Sequence, residues 1–429
     1  MPEAPTHRSS SASSGPYLAE VIGWYVGAAG LALGHTVVAQ LVLLGCAMYR
    51  LVTEPGSRPA RLTRPTKAML ALAAWMLCTA VFAWKPANAF GSTIGAMLTG
   101  WLVFVATKRA AASGFGARLT RVFLASACAG AAYALIRFGM FVLKHAGTPR
   151  AQLPFVGCNT AGTIMAVATI IAIGYASRSV RTMQRLALAA CAALTFAALV
   201  ATQSRGALVA FVAGLAVLAG ALVLSRRRRA RRAILILTAL ALLLVAFSAV
   251  YPPIRARYAT ILKPAANQDR LDIWRTAVAI IRDHPLVGVG VNNFRDAYMA
   301  YPHARSPVQE QPFAHNVFLE FGAATGVPGL VLVGWVIAAG IANGLYAWKW
   351  QMTELGTAEE VPATSLAAFV AVVVHLQFDL SIYSIDMLPL FFIPYAVLAW
   401  LAERARAGGK IPHNGKVALQ AGNTSENTN

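Results

Sequence analysis

The side chains of this 429-residue chain best suited to chemistry are two histidines, an aspartate and a set of arginines. His315 lies in Phe313-Ala314-His315-Asn316, and Arg205 in Thr202-Gln203-Ser204-Arg205-Gly206. The hydrophilic stretch 251–313 adds Arg255, Arg257, Arg270, Arg275 and Arg282, while Arg137 sits inside an apolar run. His375 and Asp379 are four residues apart and share a face if that stretch is helical. Guanidinium forks bind phosphate oxygens bidentately, and histidine titrates in the right range for a general base. Gathered in one place, these groups suit an anionic, phosphate-bearing substrate that a base activates. Each also has a plainer reading. Arg137 can snorkel to headgroups, His315 can bond nearby backbone, and His375 with Asp379 can form a structural pair. Glu320 and Asp386 read as snorkelling residues at the interfaces. No nucleotide-binding fingerprint occurs. No cluster of carboxylates accompanies the arginines, so neither a divalent metal nor a cofactor is expected.

What positions these residues emerges from composition. The chain is 58% hydrophobic and 12% charged, where a soluble domain carries roughly 25% charged residues. Apolar runs of the roughly 20 residues needed to cross hydrocarbon recur along it. They are continuously apolar rather than alternating, so they predict helices and not barrel strands. Spans are expected at roughly 17–33, 35–52, 67–84, 89–106, 119–143, 156–177, 184–201, 206–224, 232–250, 314–347, 362–380 and 385–403. The fold class is therefore all-α, a polytopic membrane protein of about twelve helices. Residues 1–16 read as a disordered N-terminus, and the first apolar run as a retained span without a cleavage site. The five cysteines, Cys46, Cys78, Cys128, Cys158 and Cys191, form neither a disulfide framework nor a zinc pattern.

The net charge of +21 would suggest nucleic acid in a soluble protein. Here the basic residues sit in short clusters between apolar runs, so no nucleic-acid partner is expected. Those clusters are Arg50 to Lys67, Lys108 to Arg121, Arg178 to Arg185, Arg226 to Arg232, and Arg404 to Lys410. With twelve spans they all fall on the side of the N-terminus, and the positive-inside rule makes that side cytoplasmic for both termini. The loop at 348–361 fits less well, with Lys349 beside Glu354, Glu359 and Glu360. Spans one to nine then fill 17–250 and spans ten to twelve fill 314–403, with a cytoplasmic tail at 404–429. Residues 251–313 become one long, largely helical loop on the outer, periplasmic side. Leu271, Trp274, Val278 and Ile281 predict a helix over Asp269 to Asp283, ended by His284-Pro285. Gly288 and Gly290 predict a turn before a short helix through Phe294 and Tyr298. A charge inside a span costs at least roughly 2.5–3.5 kcal/mol and usually faces a cavity, which favours arginines and a histidine converging on that outer face.

These residues also carry a resemblance. His315-Asn316, nine further residues and then Gly326-Val327-Pro328-Gly329 resemble the signature of the O-antigen ligases. Arg270-Leu271-Asp272-Ile273-Trp274-Arg275 followed by His284-Pro285-Leu286-Val287-Gly288-Val289-Gly290 is similar to the family's large periplasmic loop, and Ser204-Arg205-Gly206 resembles its outer arginine motif. The likeness covers roughly residues 155–345. It implies transfer of a glycan from an undecaprenyl diphosphate-linked donor to lipid A–core oligosaccharide in the bacterial inner membrane. It further implies that Arg205 and Arg275, with Arg270 nearby, hold the donor diphosphate, and that His315 is the general base. Asn316, Arg137, Asp379 and His375 are accessory candidates. The wider superfamily also includes O-antigen polymerases and protein-directed oligosaccharyltransferases. A transporter for a lipid-linked anion would use cavity-facing arginines too, although no paired repeat of the kind transporters show is evident. Membrane lipid is a partner in every reading, and oligomeric state is not legible. Pro328 predicts a kink, and Gly322 with Gly326 a close helix contact. Part of the recognised motif thus has a structural reading.

Overall fold

The computed structural model describes residues 18–35, 38–39, 41–43, 45–46, 63–144, 149–225, 249, 251–261, 263–301, 313–353, 362–379 and 387–408. The spans expected at 35–52 and 232–250 lie largely outside the described residues. So do the basic run Arg226 to Arg232, Asp386, the glutamates of 354–360, and both terminal segments.

The chain is an all-α, multi-pass membrane protein. Ten of the twelve expected spans coincide with helices. They are α1 (Leu18–Ala32), α2 (Arg64–Ala80), α3 (Pro86–Ala112), α4 (Gly116–Leu143), α5 (Cys158–Arg178), α6 (Thr182–Ala201), α7 (Arg205–Ser225), α11 (Val317–Thr353), α12 (Pro362–His375) and α13 (Leu388–Arg406). Between α7 and α11 come the short α8 (Pro252–Tyr258), a 3₁₀ turn, α9 (Gln268–Asp283) and α10 (Phe294–Ala300). Seven of these helices are long and apolar enough to cross a bilayer, and α1 and α12 are shorter apolar helices.

The centre of the bundle is α5, whose apolar and small residues are buried nearly all round. Helices α6, α7 and α12 pack on it. The α7–α12 contact is close because α7 offers Gly214, where a Cβ would stand 2.6 Å from the Ala367 carbonyl oxygen. Small residues let membrane helices approach in this way and gain dispersion energy that lipid cannot supply. A second layer joins α2, α3, α11 and α13. Tyr395 stacks on Phe391 and meets Phe104 at a tilt within it, and the Tyr395 hydroxyl donates to the Pro65 carbonyl at 3.3 Å.

Two expectations need correction. The eleventh span stops being helical at His375, not at residue 380, and Leu376–Phe378 form a turn. The Leu376 carbonyl there accepts from Val317 N at 2.8 Å, which ties the end of α12 to the start of α11. The second correction concerns the kink in α11, which lies at Gly326 (φ 73°, ψ −177°), two residues before Pro328. Proline lacks an N–H and disfavours helical geometry in the residue before it, so the turn preceding it opens. Its freed carbonyls are all taken up. Ala323 O accepts from Val289 N at 2.9 Å and Ala324 O from Gly290 N at 2.8 Å. Thr325 O accepts from the Trp75 indole at 2.8 Å. Val327 N, in turn, donates to Pro285 O at 2.7 Å. An unsatisfied backbone group in hydrocarbon costs several kcal/mol, so these bonds are what allow the break. Gly288 (φ 67°) and Gly326 lie backbone against backbone across this junction. The Gly-Val-Pro-Gly motif and the Gly-Val-Gly turn therefore interlock the 251–301 segment with the membrane helix. Gly322 serves the same junction, since a Cβ there would stand 2.6 Å from Ile281 Cδ1 of α9.

Candidate active site

His315 stands just before α11 in left-handed backbone, φ 52°. Side chains with a Cβ rarely adopt that region. Asn316 is the helix N-cap: its Oδ1 accepts from Phe318 N at 3.0 Å and Leu319 N at 3.1 Å. This gives the accessory candidate Asn316 a positional duty. Its Nδ2 also reaches Gln377 O at 3.5 Å. With the Val317–Leu376 bond, these contacts register His315 against the turn after α12. His315 Nδ1 thereby lies 3.5 Å from Asp379 Oδ1, and His375 Nε2 lies 3.5 Å from Asp379 Oδ2. The side chains of His375 and Asp379 are 1% and 6% exposed, that of His315 20%. Contacts of 3.5 Å are long for hydrogen bonds. Catalytic hydrogen bonds commonly tighten only when substrate is in place.

Arg205 opens α7 beside this group. A Cβ at Gly206 would stand 3.6 Å from His375 Nδ1. The turn before Arg205 holds a second left-handed residue, Gln203 (φ 55°), and it too is braced. Arg150 Nε donates to Thr202 O at 2.9 Å, Arg257 Nε to Gln203 O at 3.1 Å, and Gln203 Nε2 to Pro149 O at 2.7 Å. Two arginines thus cover carbonyls at the negative end of α6. Arg150 Nη2 bonds Asn159 Oδ1 at 2.9 Å, and Arg205 Nη1 reaches Thr260 Oγ1 at 3.3 Å.

The electrostatics of this region are those of arginines facing arginines. Among the charges bearing on Arg205 are those of Arg257, Arg270 and Arg150. Burial pushes the Arg270 guanidinium below its ordinary value, Asp379 opposes that shift, and Arg257 and Arg150 add to it. Burial likewise pulls Arg150 down, and pushes the Tyr258 phenol, bonded to Val200 O at 3.0 Å, up. Asp379 is the carboxylate that bears on both Arg270 and Arg150. Cations gathered in a partly desolvated place make this the candidate site.

Two expected residues stand elsewhere. Arg275 is five residues beyond Arg270 on α9, roughly 140° around a helix. Its side chain is 66% exposed and bonds Asp272 at 2.7 Å, whereas Arg270 lies on the buried face with Ile273, Ala277 and Ile280. Arg137 donates to the Tyr133 hydroxyl at 2.9 Å and covers the rings of Tyr133 and Phe141. It belongs to the rim of α4. Glu320 does not snorkel: it is 1% exposed and accepts from Ala314 N at 2.5 Å. Arg257 is one of the arginines that the stretch 251–313 offers, and Arg150 carries no signal in the sequence beyond a loop charge. Their place in the cluster comes from bonds to Thr202, Gln203 and Asn159, which no local spacing encodes.

Residues 189–334 match the O-antigen ligase family. The match runs from within α6 through the first half of α11, so it contains Arg205, Arg257, Arg270, Arg275 and His315. Arg150, His375 and Asp379 lie outside it and reach the site through the fold. No curated protein matches the chain. With its membrane helices, the match supports a ligase- or polymerase-like membrane glycosyltransferase.

Proposed function

We propose that this O-antigen ligase-like chain moves a glycan from undecaprenyl diphosphate to lipid A–core oligosaccharide, at the periplasmic face of a bacterial inner membrane. One observation carries the reading: His315 is held against Asp379 beside Arg150, Arg205, Arg257 and Arg270 at a single end of the bundle. The basic loops Arg109 to Arg121 and Arg178 to Arg185 lie at the other end, and the positive-inside rule favours that end as cytoplasmic.

The chemistry builds on this geometry. Asp379 faces Nδ1 of His315 and so favours the tautomer whose Nε2 accepts a proton. Nε2 takes the proton of the acceptor hydroxyl as its oxygen attacks the anomeric carbon. The bond from that carbon to the diphosphate breaks, and its electron pair leaves with undecaprenyl diphosphate. Arg205 and Arg270 bind the diphosphate oxygens, with Arg257 and Arg150 adding field, and so stabilise the leaving charge. Direct displacement inverts the anomeric centre. His375 supports Asp379 from its other oxygen.

The test is genetic and then chemical. Deleting the gene should strip long glycan from lipopolysaccharide while undecaprenyl-linked glycan accumulates. A single glycan unit left on the core would instead indicate a polymerase, and unchanged lipopolysaccharide a protein-directed enzyme. His315→Ala should abolish transfer by purified, folded protein in detergent, where no gradient exists to drive transport. Full activity of that variant would sink the base assignment.

A further inference from the structure

We propose that Glu320 is a positioning residue that holds His315 in its left-handed backbone by gripping the Ala314 N–H across the turn. The inference rests on His315 being the base of the proposed transfer. Glu320 lies in the first turn of α11 and is 1% exposed. A carboxylate at that depth needs a reason to stay. Its Oε2 accepts from Ala314 N at 2.5 Å, while its own N–H donates to Asn316 O at 2.8 Å. One residue thus bonds the backbone on both sides of His315, side chain before it and main chain after it. Ala314 is fully buried, so water cannot readily replace the carboxylate on its N–H.

Left-handed backbone at a residue with a Cβ persists only where its surroundings over-determine it. The Asn316 cap and the Val317–Leu376 bond fix the backbone on the C-terminal side of His315. Glu320 fixes the backbone on its N-terminal side. Without that grip the His315 backbone is free to relax toward extended geometry, and relaxation carries the imidazole off Asp379. The negative charge also suits the positive end of α11.

The experiment compares Glu320→Leu, Glu320→Gln and His315→Ala as purified full-length protein. Donor is the lipid-linked glycan extracted from the deletion strain, acceptor is that strain's lipopolysaccharide, and release of undecaprenyl diphosphate is the readout. Misplacing a catalytic group by an ångström costs about 100-fold, so Glu320→Leu should lose about that much kcat with donor KM unchanged. Glu320→Gln keeps an acceptor oxygen and should restore kcat to near the parent. Equal damage from Gln and Leu would overturn the inference in favour of a charge or proton role. Intact kcat in Glu320→Leu with His315→Ala inactive would overturn the grip alone. Intact kcat in His315→Ala would overturn the base assignment and the inference with it. If Glu320→Leu does not fold, Glu320→Asp, one methylene short, must show the same selective loss of kcat; full kcat there overturns the proposal.

Discussion

The two ends of the bundle handle charge in opposite ways. At the end carrying the basic loops, cations meet carboxylates and amides. Arg109 bonds Glu20 at 2.8 Å, Lys108 bonds Glu403 at 2.7 Å, and Arg406 bonds Asn343 at 2.9 Å. At the other end Arg150, Arg205, Arg257 and Arg270 bear on one another, and Asp379 bears on Arg150 and Arg270. In the first arrangement each of these three cations has its partner within the chain. The second brings several guanidinium groups to one place among the described residues, which fits a place an anionic substrate enters. Backbone strain divides the same way. Among the described residues, the positive-φ residues other than glycine are Gln203, Asn292 and His315; Gln203 and His315 border the arginine cluster, and Asn292 sits in the turn before α10. Strained backbone bordering a cluster of guanidinium groups is what a preorganised site looks like.

The largest effect should come from removing an arginine of the cluster. Arg270→Leu or Arg205→Ala should lower transfer about 100- to 1,000-fold, in the range seen when one donor to developing charge is lost. Lysine should not restore it, because an ammonium cannot offer the planar fork. Undecaprenyl diphosphate release by detergent-purified protein measures this, with donor titration separating binding from turnover. Activity within a few-fold of the parent in both variants would erase the functional contrast between the ends.

The next effect is on stability. Gly326→Ala puts a Cβ at φ 73°, 2.3 Å from the Leu286 carbonyl oxygen. We expect a loss of about 3 kcal/mol or more, seen as a lower melting midpoint in detergent. The whole interlock of α9–α10 with α11 should loosen. An unchanged midpoint would mean that the motif glycine serves the site directly. At the opposite end, Glu20→Ala should cost about 1–3 kcal/mol, less than a fully buried pair because Arg109 is partly exposed. Turnover per folded molecule should hold. A fall in turnover there would show that the ends are coupled.

Sequence made much of this legible, and physics says why. Hydropathy and loop charge act over whole segments, so the helices and the grouping of His315 with Arg205 at one end emerge without any contact being known. The helix Gln268–Asp283 arises from a local 3.6-residue pattern in the same way. Long-range bonds leave no such trace. Arg150 looks like a stray loop charge until Thr202 and Asn159 come to it. Glu320 looks like an interfacial residue until the turn folds Ala314 back onto its carboxylate. The break at Gly326 precedes Pro328 because Val289, Gly290 and Trp75 stand ready to take the freed carbonyls.

Arg275 offers the smallest expected effect and the sharpest question. Resemblance gives it a share of the donor diphosphate, while geometry sets it on the exposed face of α9, bonded to Asp272. An exposed ion pair three residues apart is worth at most about 0.5 kcal/mol, so Arg275→Ala should barely move the melting midpoint. If the cluster alone holds the diphosphate, donor affinity should fall by less than about threefold, a change of under about 1 kcal/mol. A fall as large as that of Arg270→Leu would mean that the diphosphate engages both faces of α9. That requires α9 to turn or the donor to wrap it, and the interlock at Gly288 and Gly326 then becomes the hinge to examine. Pairing Arg275→Ala with Asp272→Ala separates the cases. If Asp272 merely parks the guanidinium, its loss frees Arg275 and should tighten donor binding; if the pair is only surface charge, neither change registers.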